Sequence, residues 1–146
     1  MTTFFKIMRW PNVLMTILTQ LVIIYGLLIP SGIDPALNWW QLLLLITATG
    51  LLTASGNVIN DIYDVAIDQV NKPEKLLVSK SISEKNAYDL YFILTILAVL
   101  CGFVLSNSIN KPILSSIFIG VAFVLYLYAS SLKAMLLIGY VVISLL

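Results

Sequence analysis

Apolar residues run through this chain in long blocks, with short polar interruptions. The blocks cover residues 12–29, 39–59, 88–106, 112–130 and 134–146. Each of the first four matches the roughly 17–25 residues of helix that cross a hydrocarbon core. Only a helix would cross it, because every backbone N–H and C=O must be satisfied internally at that depth. The first block follows Lys6 and Arg9, as a signal peptide would. It is longer than a signal core and ends in "IPSGIDP" with no small-residue cleavage site, so it is expected to be a retained span. The fifth block is too short to cross and ends on a terminal carboxylate, which is costly at bilayer depth. That pattern fits a truncated span better than a short re-entrant or interfacial helix. The predicted fold is therefore all-α: a polytopic transmembrane helix bundle, residues 1–146 forming one membrane domain of four complete spans and a truncated fifth.

Composition supports the same class. Sixty per cent of the 146 residues are hydrophobic and 10% are charged, against roughly 25% charged in soluble domains. Mean hydropathy is +1.02. A net charge of +1 gives no ground for nucleic-acid binding. The absence of histidine removes the usual general base and the commonest zinc ligand. Cys101 is the sole cysteine and lies within an apolar block, so neither a disulfide nor a thiolate metal site is implied. With the N-terminus cytoplasmic, Lys6, Arg9, Lys72, Lys75, Lys80, Lys85 and Lys133 all fall inside and only Lys111 outside, the distribution that orients membrane proteins.

The exception to the apolar pattern is "NVINDIYDVAIDQVNKPEK" at residues 57–75. If the second helix continues through it, Thr49, Thr53, Asn57, Asn60, Asp64, Asp68 and Asn71 share an arc of about 100° at 100° per residue. Asp61 falls just past one edge. Thr49, Thr53 and Asn57 lie within the span, so the stripe runs from membrane depth to the surface. Polar groups at that depth face a bundle interior or a water-filled cavity. Thr53 and Asn57 are thus candidate cavity-lining residues. Asp64 and Asp68 stand one turn apart, a like-charge spacing that calls for a compensating cation. Lys72, Lys75 or a divalent metal are the local candidates. Asn60, Asp64 and Asp68 offer only hard oxygen donors, which suit Mg2+ bound through carboxylates and substrate phosphates. No glycine-turned loop of the EF-hand kind is present. The simpler alternative is a set of helix-end carboxylates solvated by cytoplasm.

"NDIYDVAID" at 60–68 resembles the first aspartate-rich motif, N-D-x-x-D-x-x-x-D, of the UbiA-type membrane prenyltransferases, which include 4-hydroxybenzoate polyprenyltransferases, menaquinone and haem O synthases and geranylgeranylglyceryl phosphate transferases. "NKPEK" at 71–75 resembles the N-[RK]-P-x-[RK] found after it in that family. "YASSLK" at 128–133 is similar to Y-[ST]-x-x-L-K after the fourth span, and "RWPN" at 9–12 to R-x-x-N at the first helix. The resemblance implies that Asn60, Asp64 and Asp68 hold magnesium against the diphosphate of a polyprenyl donor. It implies supporting contacts to the diphosphate from Asp61, Lys72, Lys75 and Tyr128, with Lys133 also on its oxygens. Asp64, Asp68 and Lys133 would carry catalysis by stabilising the leaving diphosphate. Asn12 would line the cavity or cap the first helix. The implied partners are a polyprenyl diphosphate, the bilayer and a hydrophobic acceptor: an aromatic acid, a quinone precursor or a glycerol-phosphate lipid. The N-K-P-x-K form resembles the lipid branch.

Two departures stand out. Many members read R-P-L-x-S-G where this chain has Lys75, Leu76, Leu77, Val78, Ser79 and Lys80, so the shape of that loop is open. The family also has about nine spans and a second aspartate-rich motif in its later half. The expectation is therefore a fragment matching the N-terminal half, with activity belonging to a longer parent. Rival functions are a cation-coupled transporter, which would carry ionisable residues at the midplane of several spans, and a non-catalytic subunit using the stripe for helix contacts. A phosphatidyltransferase would need a D-G-x-x-A-R element, but Ile62 and Tyr63 follow Asp61.

Overall fold

The computed structural model describes residues 2–71, 77–134 and 144. Its regular structure is helical, apart from one isolated bridge between Val78 and Ile82. A short helix α1 (Thr2–Ile7) leads into α2 (Trp10–Leu21), which continues as a π-helical turn over Val22–Leu28. Next come α3 (Trp39–Tyr63), α4 (Val65–Asn71) and α5 (Glu84–Ser108). A 3-10 turn, Pro112–Leu114, opens α6 (Ser115–Ser130), and a second, Leu132–Ala134, comes after it. Four stretches are long and apolar enough to cross a membrane: Trp10–Leu28, Trp39–Tyr63, Glu84–Ser108 and Pro112–Ser130. The truncated fifth span expected at 134–146 lies outside the described residues, except for Ala134 and Ser144.

The helix starts are written locally. Pro11 sits in the first turn of α2, where its missing N–H costs nothing. Asn38 and Gln41 form a reciprocal capping box at α3, with distances of 3.2 and 3.0 Å. Ser83 caps α5 by accepting from the Asn86 N–H at 3.2 Å. The π-turn closes with the Ile29 N–H donating to the Ile24 carbonyl. Observed helices overrun the apolar blocks: α3 extends to Tyr63 and α5 begins at Glu84, because caps and not hydropathy end a helix.

α3 is the central helix and packs on α2, α5 and α6. Small residues permit these approaches. A Cβ at Gly102 would lie 2.3 Å from the Phe118 ring, and one at Gly56 would lie 3.3 Å from Leu125. Around them are two apolar clusters. One, near the charged end, joins Ile7, Val58, Ile59, Ile62, Val78, Ile82 and Tyr91. The other joins Ala48, Leu52, Ala98, Leu105 and Phe118, with Cys101 packed against it. Outward faces are apolar too: Met15, Val22, Phe103 and Phe123 are exposed, as expected where the outer solvent is lipid. Trp39, 78% exposed, starts α3 where an interfacial belt residue is expected.

The loop after the aspartate-rich stretch is closed by its own backbone. Ser81 and Ile82 N–H groups donate to the Leu77 carbonyl, and the Ser79 N–H donates to the Ile82 carbonyl. Ser79 takes the left-handed conformation, φ 71, while Val78 and Ile82 turn inward into the first cluster. The residues replacing the family's proline and glycine are Leu76, outside the described residues, and Lys80. The strained position in the turn is Ser79, so no glycine is demanded at 80.

Candidate functional site

The site is built on the last two turns of α3. That helix and α4 are two separate elements: Asp64 is the C-cap of α3, and α4 begins at Val65. Asp64 keeps a helical bond across the break, its carbonyl accepting from the Asp68 N–H at 2.8 Å. The uninterrupted stripe expected from Thr49 to Asn71 therefore holds to Asp64 and changes helix there.

Four side chains on α3 divide into two pairs, each four residues apart. Asn60 and Asp64 face the end of α6, where Lys133 Nζ donates to Asn60 Oδ1 at 3.2 Å and to Asp64 Oδ1 at 2.5 Å. Asn57 and Asp61 face the α1–α2 turn. Asn57 Nδ2 donates to the Met8 carbonyl at 3.0 Å, and Arg9 Nη2 donates to Asp61 Oδ1 at 2.5 Å. Arg9 itself caps α2 in the left-handed conformation, φ 49 and ψ 59, which costs an L-residue about 1 kcal/mol. The Lys133–Asp64 pair is largely sheltered, at 20% and 21% side-chain exposure. In the other pair Asp61 is sheltered at 15% and Arg9 is more open at 46%.

Below these ion pairs lies a cavity of about 820 Å³ between α2, α3 and α6. Its α3 wall carries the polar stripe, Thr49, Thr53, Asn57 and Asn60, beside Leu45 and Leu52; its α6 wall is mainly apolar, carrying Phe118, Val121 and Leu125. Thr16 and Gln20 of α2 complete the polar side. Gln20 Nε2 donates to Thr49 Oγ1 at 2.7 Å, and the Thr16 and Thr53 hydroxyls are 3.3 Å apart. Tyr128 lines the same cavity. Tyr126, two residues earlier, instead accepts from the Tyr63 hydroxyl at 3.0 Å, the rings edge to face at 6.0 Å.

Of the expected site residues, Asn60, Asp64 and Lys133 are brought together, and Thr53, Asn57, Asn60 and Tyr128 line the cavity. Asp61 is turned toward Arg9. Asp68 lies on α4, half-buried, and Lys133 does not reach it. Asn12 is exposed and stands outside the cavity lining; it lies within the first turn of α2, whose N-cap position is Arg9, with no side-chain capping bond. Lys72 and Lys75 lie outside the described residues. Among the described residues the compensating cation for Asp64 is Lys133, 69 residues away. Thr16, Gln20 and Arg9 are partners of the stripe that sequence reasoning missed. A signal for two of them was present: Asn12, Thr16 and Gln20 recur every four residues through an apolar block, a polar seam on one helix face.

Among the described residues no group of three acidic, cysteine or histidine side chains converges as a metal site. Asn60 and Asp64 nevertheless aim two hard oxygens at one cationic atom. A two-oxygen set of this kind fits magnesium, which completes its shell with water and substrate phosphate. The described cations collect at this same end: Lys6, Arg9 and Lys133 directly, with Lys80 and Lys85 around the start of α5. Lys111 lies at the opposite end, beside Ser108 and the 3-10 turn.

The sequence profile of the UbiA prenyltransferase family matches residues 13–146. Digeranylgeranylglyceryl phosphate synthase of Methanobrevibacter smithii is 37% identical over 139 residues, covering 95% of this chain and 46% of the relative. The protein of that name from Methanosarcina barkeri is 35% identical over 144 residues, covering 94% and 48%. A solved structure from a study of digeranylgeranylglyceryl phosphate synthase in membranes superimposes with a TM-score of 0.77 at 34% identity, over 97% of this chain and 47% of that one. The chain spans about half the length of the curated relatives it matches.

Proposed function

The chain belongs to the UbiA prenyltransferase family, an integral membrane family, and on that premise we propose that its charged end binds the diphosphate of a polyprenyl donor for transfer to a lipid acceptor. The observation that carries this is Lys133 crossing to Asn60 and Asp64 at the mouth of a cavity with one polar and one apolar wall. A polyprenyl diphosphate has the same division, an anionic head and a long apolar tail. Lys133 would pair with diphosphate oxygens, joined by Lys72 and Lys75. Asn60, Asp64 and Asp68 would hold magnesium, whose charge would stabilise the diphosphate as it leaves. Asp64 and Lys133 are already oriented by their mutual hydrogen bond, so little reorganisation is needed when that charge develops. The apolar α6 wall would seat the tail and keep water from the allylic carbon. Tyr128, Thr53 and Asn57 would contact the donor along the cavity.

The acceptor class narrows with the relatives. Both are named for digeranylgeranylglyceryl phosphate, which favours a glycerol-phosphate lipid over an aromatic acid or quinone precursor. The charged end would face the cytoplasm, in line with the distribution of lysine and arginine. The transporter alternative loses support, since the ionisable residues of the described spans gather at the ends of the helices. The deep part of the stripe is neutral Thr, Gln and Asn.

The test is binding of radiolabelled geranylgeranyl diphosphate to purified protein in detergent, with and without magnesium. The wild type is expected to bind in a magnesium-dependent way and an Asp64→Asn, Asp68→Asn double variant to lose it. Magnesium-independent binding, or binding the double variant keeps, would remove the metal–diphosphate assignment.

A further inference from the structure

The aspartate-rich stretch contains two carboxylates that the fold uses differently. Asp64 goes to Lys133, which arrives from the end of α6, while Asp61, three residues earlier, goes to Arg9, which arrives from the start of α2. Asn57, one turn before Asp61, holds the carbonyl of Met8. Two consecutive residues of the α1–α2 turn are therefore tied to α3, one through the backbone and one through the guanidinium. The turn itself is bent to make this possible, with Arg9 left-handed. These ties fall on the last turns of α3, immediately before the helix breaks at Asp64.

We infer that Arg9 is a positioning residue: by neutralising Asp61 and pinning the end of α3, it determines that Asn60 and Asp64, and not Asp61, present their oxygens to the donor's metal and diphosphate. This rests on the proposed donor site. Asp61 is a sheltered carboxylate within one turn of Asp64. Without Arg9 it would be an uncompensated negative charge beside an anionic substrate, and it would compete with Asp64 for Lys133. A guanidinium suits the task because it stays charged and donates to the carboxylate directly, from Nη2 to Asp61 Oδ1. In this arrangement Asp61 belongs to the motif through its partner, not through the substrate.

The experiment is a cycle of Arg9→Gln, Asp61→Asn and the double variant in the full chain, read by magnesium-dependent geranylgeranyl diphosphate binding and, separately, by thermal unfolding in detergent without donor. Arg9→Gln is expected to weaken donor binding about tenfold, the effect of a lost charged hydrogen bond that leaves its partner unpaired. Adding Asp61→Asn is expected to bring binding back to within about threefold of wild type, because no lone carboxylate remains. Arg9→Gln is also expected to lower the unfolding temperature of the wild type more than that of the Asp61→Asn variant. A double variant that binds no better than Arg9→Gln alone would make Asp61 a direct ligand and overturn the inference. So would stability losses that simply add. A wild type that binds no donor would sink the proposed function. The stability cycle would still decide the contact: coupling would uphold the clamp on α3, and additivity would remove it.

Discussion

The two ends of α3 are held by different means. At the Tyr63 end, the helix is gripped by cations distant in sequence, Arg9 on Asp61 and Lys133 on Asp64 and Asn60. At the Trp39 end it is held by neutral groups. Asn38 and Gln41 cap each other, and Gln41 Nε2 reaches the Ser108 hydroxyl at 3.2 Å. At this end Asn38, Gln41 and Ser108 bond one another without a charged partner. The charged end pairs two carboxylates with two cations, so under the proposed function an incoming diphosphate would re-pair them without creating a buried lone charge. One end of the helix is built to be finished, the other to be exchanged.

That contrast can be broken most strongly at Lys133. Lys133→Gln takes the Lys133 ammonium from Asp64 and removes the proposed diphosphate contact, so donor binding should fall about a hundredfold in an equilibrium binding assay. If binding survives, the charged end is a structural clasp like the neutral one. Next in size is the packing that holds α6 in reach. In Gly102→Val a branched side chain must enter a space where even a Cβ meets the Phe118 ring at 2.3 Å. Stability should drop by about 1–3 kcal/mol in thermal unfolding, as overpacking does. Pairing it with Phe118→Leu should recover part of the loss. Gln41→Ala removes the side-chain half of the capping box, leaving the backbone bond to Asn38, and the tie to Ser108, and should cost about 1 kcal/mol of stability while donor binding by the folded protein stays unchanged. The smallest effect is expected from Lys111→Gln at the neutral end, with donor binding within about threefold of wild type, because exposed isolated charges contribute little. Equal losses from Lys111→Gln and Lys133→Gln would mean that the two ends do not differ.

Much of the fold was legible along the chain because lipid as solvent makes each span declare itself: long apolar blocks have no alternative to helix. Four of the five blocks appear as helices long and apolar enough to cross a membrane, and the fifth lies outside the described residues apart from Ala134 and Ser144. The polar stripe was legible for a related reason. Thr49, Thr53, Asn57, Asn60 and Asp64 recur on one helix face, and such a face at bilayer depth needs something other than lipid to meet it. The cavity between α2, α3 and α6 is what it meets.

The partners were not legible. Helical periodicity places residues on a face of their own helix and says nothing about which other helix arrives there. Asp61 and Asp64 read alike as members of one acidic motif, yet a three-residue step is most of a turn, and it sends one toward α2 and the other toward α6. The break at Asp64 was equally hidden, since the pattern after it keeps the same spacing and Asp68 keeps its backbone bond. By itself the sequence determined that this is a membrane helix bundle with oxygen donors concentrated at the end of its second span, because hydropathy and helical phase are local properties. Only the tertiary structure decided which cation neutralises which carboxylate, because that depends on how close α2 and α6 come to α3, and that approach is made at small residues, Gly50 against Val13 of α2 and Gly56 against Leu125 of α6.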